Sequence, residues 1–355
     1  MESMRTLRLS VNANELDSAA SRASVEQAAE ILRSGGTVAF PTETVYGLGA
    51  NALDPAAVAK IFAAKQRPGW DPLIVHLADR DLLGSITLRE PEKAIQLMDA
   101  FWPGPLTLLL PRNSAIPDAV TAGRPLVGVR VPSHPVAHAL LRAAGIPVAA
   151  PSANSFGRIS PTLASHVIED LDGRIDAVLD SGETTYGLES TVVDPSFHPC
   201  KVYRPGIITL EQIRAVCPGA VAYQENSAAP AVEPESLPSP GVGMRHYAPR
   251  ARLILVDADG GDLRKRFDEE VGEARNSGEK LGLMLPKDFP WDEQGDALVY
   301  RWGSWTNEEE LAQRLFAGLR WLDAAGATLI LCPVPEAKGI GAAIRDRLNK
   351  AARDD

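Results

Sequence analysis

The chain has 355 residues, 45% of them hydrophobic and 23% charged, with a formal net charge of −10 at pH 7. This length favours two domains, each large enough to bury a core, and no apolar run reaches the length of a transmembrane helix. The negative charge argues against non-specific binding of nucleic acid or an anionic membrane by the whole surface, although it leaves room for a local basic cleft.

Along the first part of the chain, apolar runs alternate with amphipathic stretches, which predicts an α/β sheet domain. The predicted helices span residues 25–33, 56–64, 91–101, 135–144 and 162–171, and the predicted strands span residues 37–40, 73–77, 106–110, 126–131, 146–150, 177–180 and 190–194. The strand at 37–40 delivers Thr42, Thr44 and Tyr46 into a loop at its carboxyl end, where open α/β sheets bind ligands.

Further along, the composition of residues 223–240 shifts to Ala, Pro, Glu and Ser without periodicity, which predicts a linker. A second α/β pattern follows, with strands at 253–256, 281–285, 297–300 and 328–331 and helices at 262–275, 307–322 and 341–352. This pattern is that of a small Rossmann-like unit, but it lacks Gly-x-Gly-x-x-Gly after its first strand, so dinucleotide binding is not indicated. We therefore predict an N-terminal domain at 1–220, a linker at 221–250 and a C-terminal domain at 251–355.

Two short motifs carry groups suited to phosphate. Lys65 and Arg67 end the helix predicted at 56–64, and Ser152 and Asn154 lie in a turn after a strand. Each motif taken alone is more often an ordinary helix end or turn. Arginine forks, lysine and turn N–H groups nevertheless bind phosphate oxygens well, so together the motifs indicate an anion site.

Two polar residues lie inside apolar strands. For His76, a core histidine with satisfied hydrogen bonds is the commoner explanation. Arg130, in the run LVGVRV, needs an anionic partner because an unpaired buried charge is very costly; a carboxylate of the protein and one of a ligand both remain open. The chain has no Walker motif, no His-Glu-x-x-His and no Gly-x-Ser-x-Gly. The residues alone thus indicate an anion-binding, phosphate-handling protein.

A family resemblance extends this interpretation. The motifs FPTETVYGLGANA, KIFAAKQRP, DPLIVH, WPGPLTLLL, VGVRVPSHP, APSAN, FGRISPT, LESTVVD and YRPG resemble, in order, the YrdC-like domain of L-threonylcarbamoyl-AMP synthases. SPGVGMRHYAPR and GIGAAIRDRLNKAA resemble the linker and C-terminal end of the two-domain form. The resemblance implies a twisted open sheet in a YrdC-like catalytic domain, followed by a linker that acts as a lid and by the Rossmann-like domain.

The resemblance also implies a nucleotidyltransferase reaction. L-Threonine, bicarbonate or CO2, and ATP with bound Mg²⁺ would give L-threonylcarbamoyladenylate and pyrophosphate. The product would serve threonylcarbamoyladenosine modification of tRNA next to the anticodon. The implied partners are the three substrates and the downstream proteins that transfer the threonylcarbamoyl group to tRNA, with weak RNA binding and no membrane.

The implied site residues fall into two groups, with Lys65 and Arg67 as the catalytic pair. The threonine and carbamate pocket would comprise Thr44, Tyr46, His76, Arg130, Ala150 and Ser190, with Arg130 pairing the threonine carboxylate. ATP would be held by Lys65, Arg67, Asp71, Ser152, Asn154, Ser160, Arg204 and Tyr247, the last as part of the lid. No side chain is implied as a metal ligand.

Two positions depart from the family pattern. Asp71 stands where the family commonly has asparagine, and a carboxylate there repels phosphate unless it meets Mg²⁺ or a cation. Gly243 stands where the family commonly has a lysine, in the linker.

Two other functions remain open from the sequence. YrdC-like domains present a concave basic surface, which suits an RNA-binding module. A carbamoyl-transfer domain like that of hydrogenase-maturation proteins is the other, although the acylphosphatase and zinc-finger modules of those chains are not recognisable here. The polar N-terminal stretch and the three separated cysteines, without Cys-x-x-Cys, favour a cytoplasmic location.

Overall fold

A computed structural model of the chain describes residues 5–224, 236–237, 239, 246–257, 262–291 and 295–353. The chain divides into two compact units: unit 1 comprises Met1–Phe156, Ser160–Thr185 and Glu189–Gly243, and unit 2 comprises Gly157–Ile159, Tyr186–Leu188 and Met244–Asp355. Residues 225–235, 238 and 240–245 of the predicted linker, Gly243 among them, lie outside the described residues, and the predicted domain boundaries stay a prediction.

The elements follow one another in the predicted α/β alternation. The strands are β1 Leu7–Ser10, β2 Val38–Phe40, β3 Gly47–Asn51, β4 Ile74–His76, β5 Leu106–Pro111, β6 Leu126–Arg130, β7 Val148–Ala149, β8 Ala177–Asp180, β9 Thr191–Asp194, β10 Lys201–Arg204, β11 Val221–Ala222, β12 Arg252–Val256, β13 Leu281–Leu285, β14 Leu298–Arg301 and β15 Leu329–Pro333. The α-helices are α1 Ala19–Arg33, α2 Pro55–Lys65, α3 Glu92–Phe101, α4 Asp118–Thr121, α5 Pro135–Ala144, α6 Ala164–Leu171, α7 Leu210–Val216, α8 Leu263–Asn276, α9 Glu308–Ala324 and α10 Gly339–Ala351. A short 3₁₀ helix spans Arg80–Ser85.

Unit 1 is built on one mixed sheet with the strand order β1-β8-β2-β3-β7-β4-β6-β5-β9-β10-β11. Its two faces bury separate apolar clusters. Val38 and Phe40 join the cluster that includes α1 and α5, whereas Ala39 between them joins the cluster that includes α2, α3, α6 and α7. This alternation is the period-2 pattern of a strand covered on both faces. The α/β prediction for this part of the chain is confirmed.

One central strand, β3, was not predicted from the sequence. Its sequence GLGAN is poor in β-branched residues, so it carries little strand propensity. Its Gly49 serves close packing, since a Cβ at this position would lie 2.8 Å from atoms of both Phe40 and Val148. This strand is thus determined by packing against residues that are distant in the sequence, and local β-propensity does not predict it.

The end of α2 fixes the direction of the chain that carries the predicted phosphate-binding cations. Asp54 caps its N-terminus by accepting a hydrogen bond from the Ala56 N–H. The helix ends in a left-handed turn at Gln66, with φ of 54°, before Pro68 is reached. Arg67 is thereby turned inward and is 8% exposed.

Unit 2 contains a parallel sheet with the order β12-β15-β13-β14. Its strands are apolar, with β13 and β15 fully buried along their length, as expected of a parallel sheet covered by helices. The predicted small Rossmann-like α/β domain is confirmed. Among the described helices, none is both long and apolar enough to cross a membrane.

Candidate functional site

The loop after β2 is held in a fixed shape by its own hydroxyl groups. Thr42 Oγ1 donates to the Val45 carbonyl at 2.7 Å and lies 2.8 Å from Thr44 Oγ1. The N–H groups of Thr44 and Val45 donate back to Thr42 Oγ1. Such local side-chain to backbone bonds fix a tight turn at the sheet edge. The loop therefore presents Glu43 and Thr44 in a defined orientation.

Arg130, the last residue of β6, meets this loop in the interior. Its Nη2 lies 2.6 Å from Glu43 Oε1, and both side chains are 4% exposed. Its Nη1 donates to Thr44 Oγ1 at 2.9 Å and its Nε to the Gly104 carbonyl at 3.3 Å. Glu43 is therefore the anionic partner that Arg130 requires. Sequence reasoning missed Glu43, although it is the one acid in the loop motif FPTETVYGLGANA.

His76 lies directly opposite Arg130 in the β4–β6 register. Burial and the positive charge of Arg130 lower the pKa of His76 from its usual 6.5 to about 3, so the imidazole is neutral near pH 7. Its ring contacts Phe40 edge-on at 6.2 Å, and its Nδ1 has no hydrogen-bond partner in the described part of the chain. One ring nitrogen of His76 thus lacks the hydrogen bond that the commoner explanation assumes, whereas the imidazole does interact with the Ile74 backbone.

A first prediction concerns acid stability. Because the folded state depresses the pKa of His76, its contribution to stability is complete above about pH 6.5 and is lost as the pH falls toward 3. Denaturant unfolding should show that His76→Asn removes up to about 1.4 kcal/mol per pH unit of the wild-type slope below pH 6.5. An unchanged slope in this variant would contradict the burial of a neutral imidazole.

Lys65 ends α2 in a fully buried position. Its Nζ donates to the carbonyls of Ser152 and Asn154, each at 2.5 Å, which joins the predicted helix-end motif to the predicted turn motif. Desolvation and the neighbouring charge of Arg67 hold the pKa of Lys65 well below its usual value of 10.5. A buried ammonium of this kind gains from any anion placed against it.

Arg67 and Asp71 form a buried ion pair beside Lys65. Arg67 Nη2 lies 2.9 Å from Asp71 Oδ2, with side-chain exposures of 4% and 1%. Arg67 also donates to the carbonyls of Asp71 and Pro72. Burial raises the pKa of Asp71, while the charges of Arg67, Lys65 and Arg204 oppose that rise. These charged groups are therefore close enough to affect one another. Asp71 was expected to need a cation, and Arg67 is that cation.

Arg204, at the end of β10, lies against Ser190. Its Nε donates to the Ser190 carbonyl and its Nη2 to Ser190 Oγ, both at 3.1 Å. Ser190 Oγ in turn lies 2.8 Å from Thr107 Oγ1 on β5. These hydrogen bonds connect Ser190, which was predicted for the threonine pocket, with Arg204, which was predicted to bind ATP.

The other predicted residues of unit 1 are placed as follows. The Ala150 N–H donates to the Ile74 carbonyl at 2.9 Å, next to the strand position of His76. Ser160 Oγ donates to Glu189 Oε1 at 2.5 Å. The buried Tyr46 hydroxyl donates to the Gly182 carbonyl at 2.7 Å and accepts from the Ser181 N–H. Both partners lie just after the end of β8. The binding roles of these residues stay predictions.

Tyr247 belongs to unit 2 and is 2% exposed. Its ring stacks on Phe316 with centroids 5.6 Å apart, and the Arg347 guanidinium lies 5.2 Å from the ring centroid. Its backbone has a φ of 64°, a left-handed conformation that is rare for tyrosine. Its expected part in a lid over the nucleotide stays a prediction.

Unit 1 therefore contains two neighbouring sets of buried charges. Lys65, Arg67 and Arg204 are three buried cations, with the carboxyls of Asp71 and Asp170 among the charges that act on them, and such a set of cations suits a polyanion. Arg130, Glu43 and Thr44 offer a smaller pocket with charges of both signs. No group of three or more His, Cys, Asp or Glu side chains that could hold a metal ion occurs among the described residues.

Comparison with known proteins gives consistent matches along the chain. The Sua5, YciO and YrdC family model, described as "Telomere recombination", matches residues 30–206, and the model of the threonylcarbamoyl-AMP synthase C-terminal domain matches residues 208–353. The chain is 42% identical over 328 residues to the threonylcarbamoyl-AMP synthase of Pyrococcus abyssi, covering 92% of this chain and 93% of that protein. The Bacillus subtilis threonylcarbamoyl-AMP synthase is also 42% identical, over 92% of both chains.

Solved structures give a similar result. The crystal structure of P. abyssi Sua5 complexed with L-threonine has a TM-score of 0.88 and 39% identity, and the match covers 98% of both chains. A second structure of the same protein, in which an adjacent histidine and tyrosine are both replaced by alanine, has a TM-score of 0.88 and 38% identity.

Proposed function

The chain belongs to the two-domain threonylcarbamoyl-AMP synthases of the Sua5 and YrdC family, and from this membership we propose its reaction and its site. The protein joins L-threonine, bicarbonate or CO2, and ATP into L-threonylcarbamoyladenylate and releases pyrophosphate, which makes it a nucleotidyltransferase. Its product serves threonylcarbamoyladenosine modification of tRNA. Of the three functions that the sequence left open, the near full-length match to these synthases favours this one.

One observation carries the assignment of the site. Arg67 pairs with the Asp71 carboxyl at 2.9 Å, the charges of Lys65 and Arg204 also oppose the rise in the pKa of that carboxyl, and Arg204 hydrogen-bonds Ser190. A triphosphate bound to these cations is brought next to the pocket formed by Arg130 and Thr44. In this arrangement Arg130 binds the threonine carboxylate, and the carbamate forms beside the α-phosphate.

The residue types fit the chemistry of the step. A carbamate is a weak nucleophile, and holding it against the α-phosphate contributes roughly 7–11 kcal/mol when the geometry is right. Attack by the carbamate oxygen on the α-phosphorus breaks the bond to the bridging oxygen, and the negative charge develops on pyrophosphate. Lys65, Arg67 and Arg204 stabilise that charge in an interior from which water is largely excluded. No covalent intermediate with the protein is needed.

We assign Mg²⁺ to the ATP molecule as part of the substrate. The described residues include no group of three or more His, Cys, Asp or Glu side chains that could hold a resident metal, and the carboxyl of Asp71 is paired with Arg67. When bound, the ion supplies charge neutralisation to the phosphates.

The direct test of this function is pyrophosphate release by the purified protein. We expect release from ATP that requires both threonine and bicarbonate, with one labelled carbon from bicarbonate incorporated for each pyrophosphate. Omission of either substrate serves as the control. Pyrophosphate release that proceeds unchanged without threonine would overturn the proposal.

Asp71 gives a prediction specific to this chain. Its carboxylate pairs with Arg67 and therefore competes with phosphate for the same guanidinium. Asp71→Asn removes the competing charge and keeps the shape, so we expect ATP to bind roughly 3- to 10-fold more tightly by calorimetry, a change of about 0.7–1.4 kcal/mol. Weaker binding by this variant would indicate instead that the carboxylate assists the ATP complex.

A further inference from the structure

Three side chains around the Arg130 position contain buried polar atoms that lack a hydrogen-bond partner in the part of the chain that the structure describes. The atoms are Glu43 Oε1 and Oε2, Arg130 Nη2 and His76 Nδ1. The three residues are only 3%, 3% and 4% exposed, respectively. Glu43 Oε1 and Arg130 Nη2 form an ion pair with each other, which leaves Glu43 Oε2 and His76 Nδ1 as the exceptions. Nearly all buried polar atoms in native proteins have a partner, so two exceptions in one place indicate a binding site for a polar ligand.

The charges of these atoms restrict the chemical class of ligand that can bind here. Glu43 and Arg130 are close, with 2.6 Å between Oε1 and Nη2, yet neither atom has hydrogen-bond geometry to a described neighbour. Glu43 Oε2 therefore remains an anionic acceptor without a partner among the described residues, next to the cationic guanidinium of Arg130. A simple anion would satisfy Arg130 and be repelled by Glu43, and a simple cation would do the reverse. An α-amino acid, with an ammonium and a carboxylate on one carbon, satisfies both.

We propose that Glu43 binds the α-ammonium group of L-threonine and accepts the proton that this group loses before its nitrogen reacts. The inference rests on the proposed threonine pocket and adds the residue that activates the amine. Glu43 has two acceptor oxygens, and the one facing Arg130 is not required for the proton transfer. Oε2 is thus the atom that takes the proton, while Oε1 remains beside the guanidinium.

The step balances with bicarbonate as the carbon source. The ammonium gives one proton to Glu43 Oε2, and the freed lone pair attacks the bicarbonate carbon, so that an N–C bond forms. The C–OH bond breaks, and the departing hydroxide takes the second nitrogen proton as water. The product is the carbamate, and the proton on Glu43 returns to solvent when the site empties.

A purely structural role for Glu43, as the counter-ion of Arg130, makes a different prediction. Removal of a counter-ion changes the affinity of every ligand that uses Arg130 by a similar factor, whether or not the ligand has an ammonium group. Removal of the residue that binds the ammonium group lowers the affinity only of those ligands that carry an ammonium group. The two roles are therefore separated by changing the ligand and the protein together.

The experiment compares L-threonine with 2,3-dihydroxybutanoate, its analogue with a hydroxyl in place of the ammonium, by calorimetry without ATP. Because a charge-assisted hydrogen bond is at stake, the wild type should bind threonine about 10- to 100-fold more tightly than the analogue. Glu43→Gln should bind the two within about threefold of each other. Glu211→Gln, an exposed change in the first turn of α7, should behave as the wild type.

Catalysis provides the second readout. Loss of a general base lowers kcat by at least about 100-fold, and Glu43→Gln should do so with an unchanged KM for ATP. If Glu43→Gln keeps the wild-type discrimination, loses affinity for both ligands equally, or keeps its kcat, the role of Glu43 is overturned. If the variant does not fold, equal binding of threonine and the analogue by the wild type overturns it. An inactive wild type would instead refute the proposed function itself.

Discussion

Arg130→Ala should abolish threonine-dependent pyrophosphate release and also destabilise the protein strongly. The substitution removes the proposed partner of the threonine carboxylate and leaves Glu43 buried without its counter-ion at 2.6 Å. Breaking a buried ion pair from one side costs about 3–5 kcal/mol, because the remaining charge is no longer compensated. Denaturant unfolding measures the stability loss, and calorimetry with threonine measures the binding loss.

A double variant separates these two effects. In Arg130→Met with Glu43→Leu, both charges are replaced by apolar side chains of similar size, so most of the stability should return. Threonine binding should remain lost, because neither end of the amino acid has a partner. Arg142→Ala, an exposed change in the last turn of α5, should alter neither property. Threonine affinity within twofold of wild type in the folded double variant would contradict the assignment of the pocket.

Arg67→Ala should weaken ATP binding by about 10- to 100-fold and leave threonine binding within about twofold of the wild type. A charge-assisted hydrogen bond contributes about 1.5–3 kcal/mol, and Arg67 offers such a bond to the phosphates. The effect is selective because Arg67 pairs with Asp71, whereas the proposed threonine carboxylate site is at Arg130. Calorimetry with each ligand separately provides both affinities.

Lys60→Ala is the matched control for this result. Lys60 is an exposed cation on the same helix, α2, and its Nζ donates to the Gly35 carbonyl. It should change neither affinity, so a general loss of positive charge cannot explain the effect at residue 67. If Arg67→Ala weakened threonine and ATP binding equally, the division of the site into two pockets would be wrong.

The sequence contained enough information for the α/β fold and for most of the candidate site. Long apolar runs such as that of β5 predict buried strands without tertiary information. The short β3 shows the limit, because its Gly49 is explained by the approach of Phe40 and Val148 and not by local propensity. Such contacts between distant segments cannot be deduced from one sequence.

The site itself shows a similar division. The sequence indicated that Arg130 needs an anion, but several acids could have supplied it, and the structure selects Glu43. It also indicated that Asp71 needs a cation, which the structure identifies as Arg67. For Tyr46 the sequence could not predict the direction of the hydroxyl, which the structure directs to the Gly182 carbonyl. Charge balance was thus predictable, whereas partner choice and side-chain direction required the fold.

The most direct test of the account is a crystal structure of the protein with L-threonine and a non-hydrolysable ATP analogue. We expect both ligands in one cavity of unit 1, with the threonine carboxylate on Arg130. The triphosphate should contact Lys65, Arg67 and Arg204, with the α-phosphate next to the threonine nitrogen. Threonine bound away from Arg130, or a triphosphate that contacts none of the three cations, would contradict the account.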